Sequence, residues 1–331
     1  MADSVNAAFN KFITETVNLD GTRTRSARAS REWLLDQIAF FQADATFPVS
    51  FEDYDIAYGS FARRTKIRPL DDIDQMIGLH AQSSSYNTYS DRIEITVKPE
   101  GNLKPFCNEG TNTLNSIKVI NKFIQKLASV PQYSAADLKR NGAAAVLSLK
   151  SYDWCFDIVP CFMTTQEFDG RTYFLIPDGK SNWMKTDPRI DRDRVKGINQ
   201  SHGGNVLNVV RAIKYWQGRA TMPSMSSYLI EAIVLAYYDN RTTVASKFVD
   251  VEIGPVLEYF SRAVHDLVWD PKGIQGDIND VSYDDRVKIA NRAVQDHQKA
   301  AEARRLETGD DHKGSIAKWG EIFGSDFPTY G

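Results

Sequence analysis

The chain has 331 residues, 42% of them hydrophobic, enough to build one large domain or two packed lobes. Forty Lys and Arg against 43 Asp and Glu leave a formal charge of -3, which excludes non-specific nucleic-acid binding through a strongly basic surface and leaves room only for a local basic groove. Cys107, Cys155 and Cys161 include no C-x-x-C pair and no His at ligand-like spacing, and no window approaches eighteen uncharged apolar residues; reduced thiols, no zinc, no membrane span and a cytoplasmic address are the expectation.

In chain order, Val5, Ala8, Phe9, Phe12 and Ile13, then Leu34, Ile38 and Phe41, recur at three- and four-residue steps and predict helices, with NLDGTRTRS as the break between them. From Tyr54 the period becomes two: Tyr54, Ile56 and Tyr58 predict a strand ended by Gly59-Ser60, followed by a loop with Arg63, Arg64, Lys66 and Arg68. DIDQMIGL, Asp72 to Leu79, reads as the next strand and Arg92 to Val97 as a third, joined by a polar surface loop, HAQSSSYNTYSD. Leu114, Ile117, Ile120, Ile124 and Leu127 predict a helix from about Thr113, stopped before Pro131. AAAVLSLK and WCFDIVPCF form a strand pair joined through Ser151-Tyr152-Asp153. Beyond Trp183 the helical period dominates, so the chain divides into a mixed part, 1-185, and a helical part, 186-331.

The chemistry lies in the carboxylates. Side chains two apart on a strand share a face, so Asp72 and Asp74 stand side by side while Ile73 points to the core. Such a pair is repulsive unless a hard cation lies between its members, and magnesium, or manganese in its place, meets that need. Asp157, set in the apolar run WCFDIVPCF, is the natural third ligand: a buried carboxylate is costly unless hydrogen-bonded or bound to metal. Two ions roughly 3.5 to 4 Å apart would activate a hydroxyl and neutralise a departing pyrophosphate, which is nucleotidyl transfer. Gly59-Ser60, just before the pair, lets backbone N–H groups approach a phosphate. Gly179-Lys180-Ser181 is not the end of a P-loop, because Phe174 stands where its first glycine belongs. His202, beside two glycines, reads as a turn residue, and Asp71 faces away from the pair.

GSFARRTKIRPLDDID followed by FDIVPCF resembles the G-S, D-x-D and third-aspartate signature of the DNA polymerase β-like nucleotidyltransferases, and within them the bacterial cGAS/DncV-like enzymes that make cyclic oligonucleotides in anti-phage signalling. The resemblance continues through FLIPDGKSNWMKTDP, NVVRAIKYWQ, SSYLIEAIVLAYY and KWGEIFGSDFP. It implies an α+β polymerase β-like core with a helical C-terminal lobe and an active site in the cleft between them. It further implies a triphosphate gripped by Gly59 and Ser60, metal held by Asp72, Asp74 and Asp157, phosphate contacts from Lys214 and Ser227, and a base stacked on Tyr228. From pattern alone Lys214 reads equally as a solvated lysine, and Tyr228 as plain core. Arg64 stands where many relatives have glycine, and no Cys/His insertion resembles the zinc-binding thumb of the animal DNA sensor.

The implied activity joins ATP, GTP, UTP or CTP into a cyclic di- or trinucleotide read by a downstream effector, with no stable nucleic-acid partner. The resemblance also implies conjugation through Gly331 by ubiquitin-like machinery. The competing readings are nucleotidyl transfer to RNA or protein, or a nucleotide-binding module without catalysis.

Overall fold

The computed structural model describes all of residues 1–331. The chain forms two compact units, one of residues 22–62 and 70–188, the other of residues 1–21, 63–69 and 189–331. The period change near Trp183 puts a single boundary at 185, whereas the observed division is discontinuous.

In chain order the elements are α1 (Val5–Lys11), continued by a π-helical stretch to Val17, α2 (Gly21–Ala39), β1 (Ile56–Tyr58), α3 (Gly59–Ala62), β2 (Asp72–Gly78), β3 (Ser85–Thr88), β4 (Ile93–Thr96), α4 (Ser116–Ala128), β5 (Asp137–Asn141), β6 (Ala144–Ser148), β7 (Cys155–Met163), β8 (Phe174–Pro177) and β9 (Trp183–Thr186). Helices α5 (Pro188–Ser201), α6 (Val206–Gln217), α7 (Ser227–Asp239), α8 (Val249–Ala263), α9 (Tyr283–Thr308) and α10 (His312–Phe323) complete the chain. None of them is long and apolar enough to cross a membrane.

The mixed unit is built on a nine-stranded sheet of order β1-β2-β7-β8-β9-β4-β3, with the β5-β6 hairpin attached to β7. β2 and β7 are parallel, and their other neighbours are antiparallel. β7 is the longest strand because its apolar run is buried on both faces, from Phe156 to Phe162, with Asp157 as the polar interruption. The polar segment expected to be a loop contains β3, which pairs with β4 over Ser85–Thr88. Three of its four residues are exposed, so this edge strand carries no hydrophobic alternation and is invisible to a periodicity reading. Helix α4 starts at Ser116, because the Asn115 side chain accepts from the N–H groups of Ile117 and Lys118. Its buried face, Val119, Ile120, Phe123 and Leu127, is rotated from the predicted stripe.

The helical unit has its own core. Phe9 of α1 meets Trp319 of α10 edge-on, with ring centroids 4.8 Å apart, and Phe12 packs on Phe323 at 4.9 Å. The amphipathic face of α1 finds its apolar partners there, which is why the N-terminal segment belongs with the helical half. Trp216 of α6 and Phe260 of α8 fill the centre, both fully buried.

Candidate active site

β2 and β7 fix the geometry of the carboxylates. Their parallel register sets Asp74 directly beside Asp157 and Asp72 beside Cys155, so all three aspartates lie on one face at the same end of adjacent strands. On the other side of β2, Tyr58 is paired with Asp74. Its phenol pKa is pushed well above the ordinary value, first by burial, then by the charges of Asp74, Asp157 and Asp72 among its neighbours. One buried hydroxyl thus senses all three carboxylates. The Cys155 thiol, between Asp72 and Asp157, is pushed up to about 11 by burial and then by the same two charges; it is not a reactive thiolate at neutral pH.

Gly59 opens α3 with φ of +71°, and a Cβ built on it would lie 1.7 Å from Oδ2 of Asp74. Glycine is therefore required twice over: for a left-handed backbone and for the space the carboxylate occupies. Ser60 follows it in the first turn of α3. The predicted turn is thus a short helix whose start is packed against the middle aspartate.

A hard divalent cation suits this donor set, since the strand register brings three carboxylates to one face here. The side chains are not already gathered into a group of three ligands. Convergence of three carboxylates on one point is unfavourable without a cation to offset their repulsion, so the backbone register, rather than a finished cage, carries the fit.

The remaining predicted residues lie in the helical unit. Lys214, on α6, is 4% exposed. Its Nζ donates to the carbonyl of Thr65 at 2.9 Å and to Oε1 of Glu231 at 2.8 Å. Glu231, on α7, also accepts from Nε of Arg63 at 3.0 Å through Oε2. Burial pushes the Glu231 carboxyl up, but the charges and hydrogen bonds of Arg63 and Lys214 outweigh it and hold the carboxyl below its ordinary value. Tyr228 donates its hydroxyl to Oδ1 of Asp191 at 2.6 Å and accepts from Nζ of Lys272 at 2.7 Å. The cations of Lys272 and Arg63 lie 4.3 and 5.6 Å from its ring centroid. Ser227 is the exposed first residue of the 13-residue α7, where backbone N–H groups and the helix dipole favour an anion.

Glu231 and Lys272 are absent from the sequence reading, and Arg63 enters it only as one of several basic loop residues. Glu231 carried a legible signal: an acidic residue inside the apolar helix SYLIEAIVLAYY is buried at a cost unless paired. Lys272 sits in an irregular segment with no periodicity to flag it. His202 is a buried structural residue, its Nδ1 accepting from the N–H of Ala245 and its Nε2 3.0 Å from the carbonyl of Tyr238.

A glycine-opened helix after β1, aspartates on two neighbouring parallel strands and a separately cored helical half are the features of a polymerase β-like nucleotidyltransferase fold. No family model matches the chain. Over its whole length it is 40% identical to a probable cyclic nucleotide synthase of Bacillus cereus strain VD146, covering 99% of that protein. Among solved structures it is similar in fold to Escherichia coli MS115-1 CdnC with ATP, with a TM-score of 0.69 at 18% identity over 97% of this chain and 98% of that one. It is similar also to E. coli DncV in its 3'-deoxy GTP bound form, with a TM-score of 0.63 at 13% identity over 96% and 97%. Vibrio cholerae DncV cyclic AMP-GMP synthase gives 0.59 at 14% identity over 83% of this chain and 69% of that one. The chain belongs to the bacterial cGAS/DncV-like nucleotidyltransferases.

Proposed function

We propose that this protein joins ribonucleoside triphosphates, ATP or GTP with UTP or CTP as further candidates, into a cyclic di- or trinucleotide with release of pyrophosphate. The observation that carries the proposal is the pairing of Asp74 with Asp157 and the packing of Gly59 on Asp74. The whole-length relationship to a probable cyclic nucleotide synthase supports ring closure over linear extension.

Asp72, Asp74 and Asp157 would hold magnesium, which when bound supplies Lewis-acid stabilisation of charge at the α-phosphate. Gly59 and Ser60 present the start of α3 to the triphosphate, and Ser227 offers a hydroxyl and the start of α7 to phosphate oxygens. Lys214 contributes a positive charge that Glu231 and Thr65 hold in one place. Tyr228 offers a ring whose hydroxyl is pinned, so the ring stays fixed for a base to stack on. The product would signal to an effector in anti-phage defence, and Gly331 would be a conjugation point. Its N–H now donates to the carbonyl of Ala2 at 3.2 Å, a bond conjugation would have to open; deletion of Gly331 is expected to abolish conjugates in cells.

Incubation with labelled ATP, GTP, CTP and UTP and magnesium, followed by phosphatase, is expected to leave a resistant small product that Asp72→Asn and Asp157→Asn abolish. Phosphatase-sensitive chains only, or no product, would overturn the cyclase reading.

A further inference from the structure

Between the end of α8 and the first turn of α9, the segment from Asp266 to Asp285 holds six aspartates against one lysine. That lysine, Lys272, is buried and paired with Asp270 at 2.8 Å and Asp191 at 3.5 Å. What meets solvent is therefore acidic: Asp266, Asp277, Asp280 and Asp284 are all exposed. Arg286, which follows the segment, directs its guanidinium at carbonyls, donating to Asn279 at 2.7 Å, Val281 at 2.8 Å and His265 at 3.4 Å.

Two stretches of the segment form a short antiparallel ladder. The N–H of Asp270 donates to the carbonyl of Gly276 at 2.7 Å, and the N–H of Ile278 to the carbonyl of Val268 at 2.8 Å. Trp269 and Asp277 lie between these bonds as a directly opposed pair, the kind whose side chains stand closest and share a face. Alternation places the others: Val268 and Ile278 pack on the helical core, whereas Leu267 and Trp269 are 63% and 68% exposed. An indole, a leucine side chain and a carboxylate are presented together on the outer face.

This face is preformed. Oδ2 of Asp270 accepts from the N–H groups of Ile274 at 3.2 Å and Gln275 at 3.0 Å, closing the turn from within. Oδ1 of Asp277 accepts from those of Val268 at 2.9 Å and Asn279 at 3.0 Å. The Asn279 amide donates to the carbonyls of Val264 and Asp266, both at 2.9 Å. A tryptophan on a backbone held at so many points loses little freedom when a partner covers it.

Exposed tryptophan is favoured as the anchor of an interface, and the face of its ring attracts a Lys or Arg cation. The surrounding carboxylates add to that attraction and repel an anionic membrane, a nucleic acid or an acidic protein surface.

We propose that the Leu267 and Trp269 face docks a basic segment of a partner protein. An Arg or Lys side chain lies over the indole with the exposed aspartates as its counter-ions, and an aliphatic neighbour covers Leu267. The nucleotidyl-transfer reading uses none of these residues, so the two stand or fall separately.

The probe is a fluorescent amidated peptide of alternating Arg and Leu, titrated into the full-length protein by anisotropy at about 0.05 and 0.2 M salt, beside the same peptide with Glu in place of Arg. The basic peptide is expected to bind with a Kd below about 100 μM, at least tenfold tighter than the acidic one, and to weaken about threefold or more at the higher salt. Trp269→Ala should weaken it tenfold or more, and so should Asp266→Asn, Asp277→Asn and Asp280→Asn combined. Asparagine keeps the acceptor oxygen that the ladder uses at position 277. Glu15→Gln, Asp137→Asn and Glu321→Gln combined make the same change of net charge at other exposed positions and should leave binding within about twofold. Circular dichroism checks the fold of each variant. No binding of the basic peptide, an equal loss in the second triple variant, or binding indifferent to Trp269→Ala would overturn the proposal. Self-association of the protein that Trp269→Ala abolishes would overturn it as well, because a second copy would then be the occupant.

Discussion

Gly59 makes the most exacting demand of any single residue near the aspartates. Gly59→Ala would force an L side chain into a left-handed backbone and drive its Cβ into the Asp74 carboxylate. The neighbour that must yield is a short, flexible carboxylate, so the stability loss should stay near 1 kcal/mol. Displacing the carboxylate by about 1 Å should lower product formation on the order of 100-fold. Steady-state rates beside urea unfolding would separate the two effects; equal rates for both proteins would show that the close approach has no catalytic consequence.

Asp55 supplies a pH signature. Burial first, and then the charge of Glu52, push its carboxyl up to about 6, although the N–H of Gly78 opposes the shift by donating to Oδ1 at 2.7 Å. An unfolded-chain aspartate titrates near 3.9, so the folded state binds the proton more tightly. The resulting stability is fully present below about pH 4 and is lost as pH rises through about 6. Partial exposure reduces its size, to about 1 to 2 kcal/mol. Asp55→Asn keeps an oxygen to accept from Gly78 and removes the charge, so it should flatten the Tm profile between pH 4 and 6.5 and raise Tm at pH 8. A profile identical to that of the unsubstituted protein would remove Asp55 as its source.

At the scale of elements, the strands that carry the aspartates were legible, as were β1, β4 and β6, whereas β3, β5, β8 and β9 were not. The D-x-D spacing and the lone aspartate of WCFDIVPCF put three carboxylates on one face, and the observed register agrees at Asp74 and Asp157. Nothing local could reveal that β2 and β7 are parallel neighbours, because pairing of strands so distant in sequence is a tertiary property. β5 and β3 escaped notice because their exposed residues follow no apolar alternation. Lys214 shows the opposite limit: one position from an apolar stripe, it is buried by partners on other elements that periodicity does not represent.

The same reasoning applies to α6 and α9. Asp296, fully buried on α9, accepts from Nε1 of Trp216 at 2.8 Å and pairs with Arg292 at 2.5 Å and Lys299 at 3.2 Å. Asp296→Ala leaves one buried donor and two cations without their acceptor, and should cost about 3 to 5 kcal/mol in urea unfolding. Asp296→Asn, which keeps one acceptor, should cost distinctly less. Equal losses for the two variants would mean that the carboxylate's second oxygen and charge dominate.

For the whole molecule, charge decides which activators are plausible. At a formal charge of -3, the chain has no general attraction for a polyanion, and any duplex would have to be held by a local stripe. One such stripe is on α2, with Arg23, Arg25, Arg28 and Arg31. Arg23 is already paired with Asp153 at 2.5 Å and lies over the ring of Trp154. Three cations release few counterions: log K should fall with log salt at a slope of only about -2.7, against roughly -5 to -9 for a protein making six to ten phosphate contacts. At physiological salt such a stripe should give weak, non-specific binding with no purchase on the strands that carry Asp72, Asp74 and Asp157. Product formation with and without a 45-base-pair DNA duplex at about 0.15 M salt is therefore expected to agree within about twofold. A tenfold stimulation that disappears when Arg25, Arg28 and Arg31 are replaced by Gln would show instead that the arginine stripe of α2 is an activating surface.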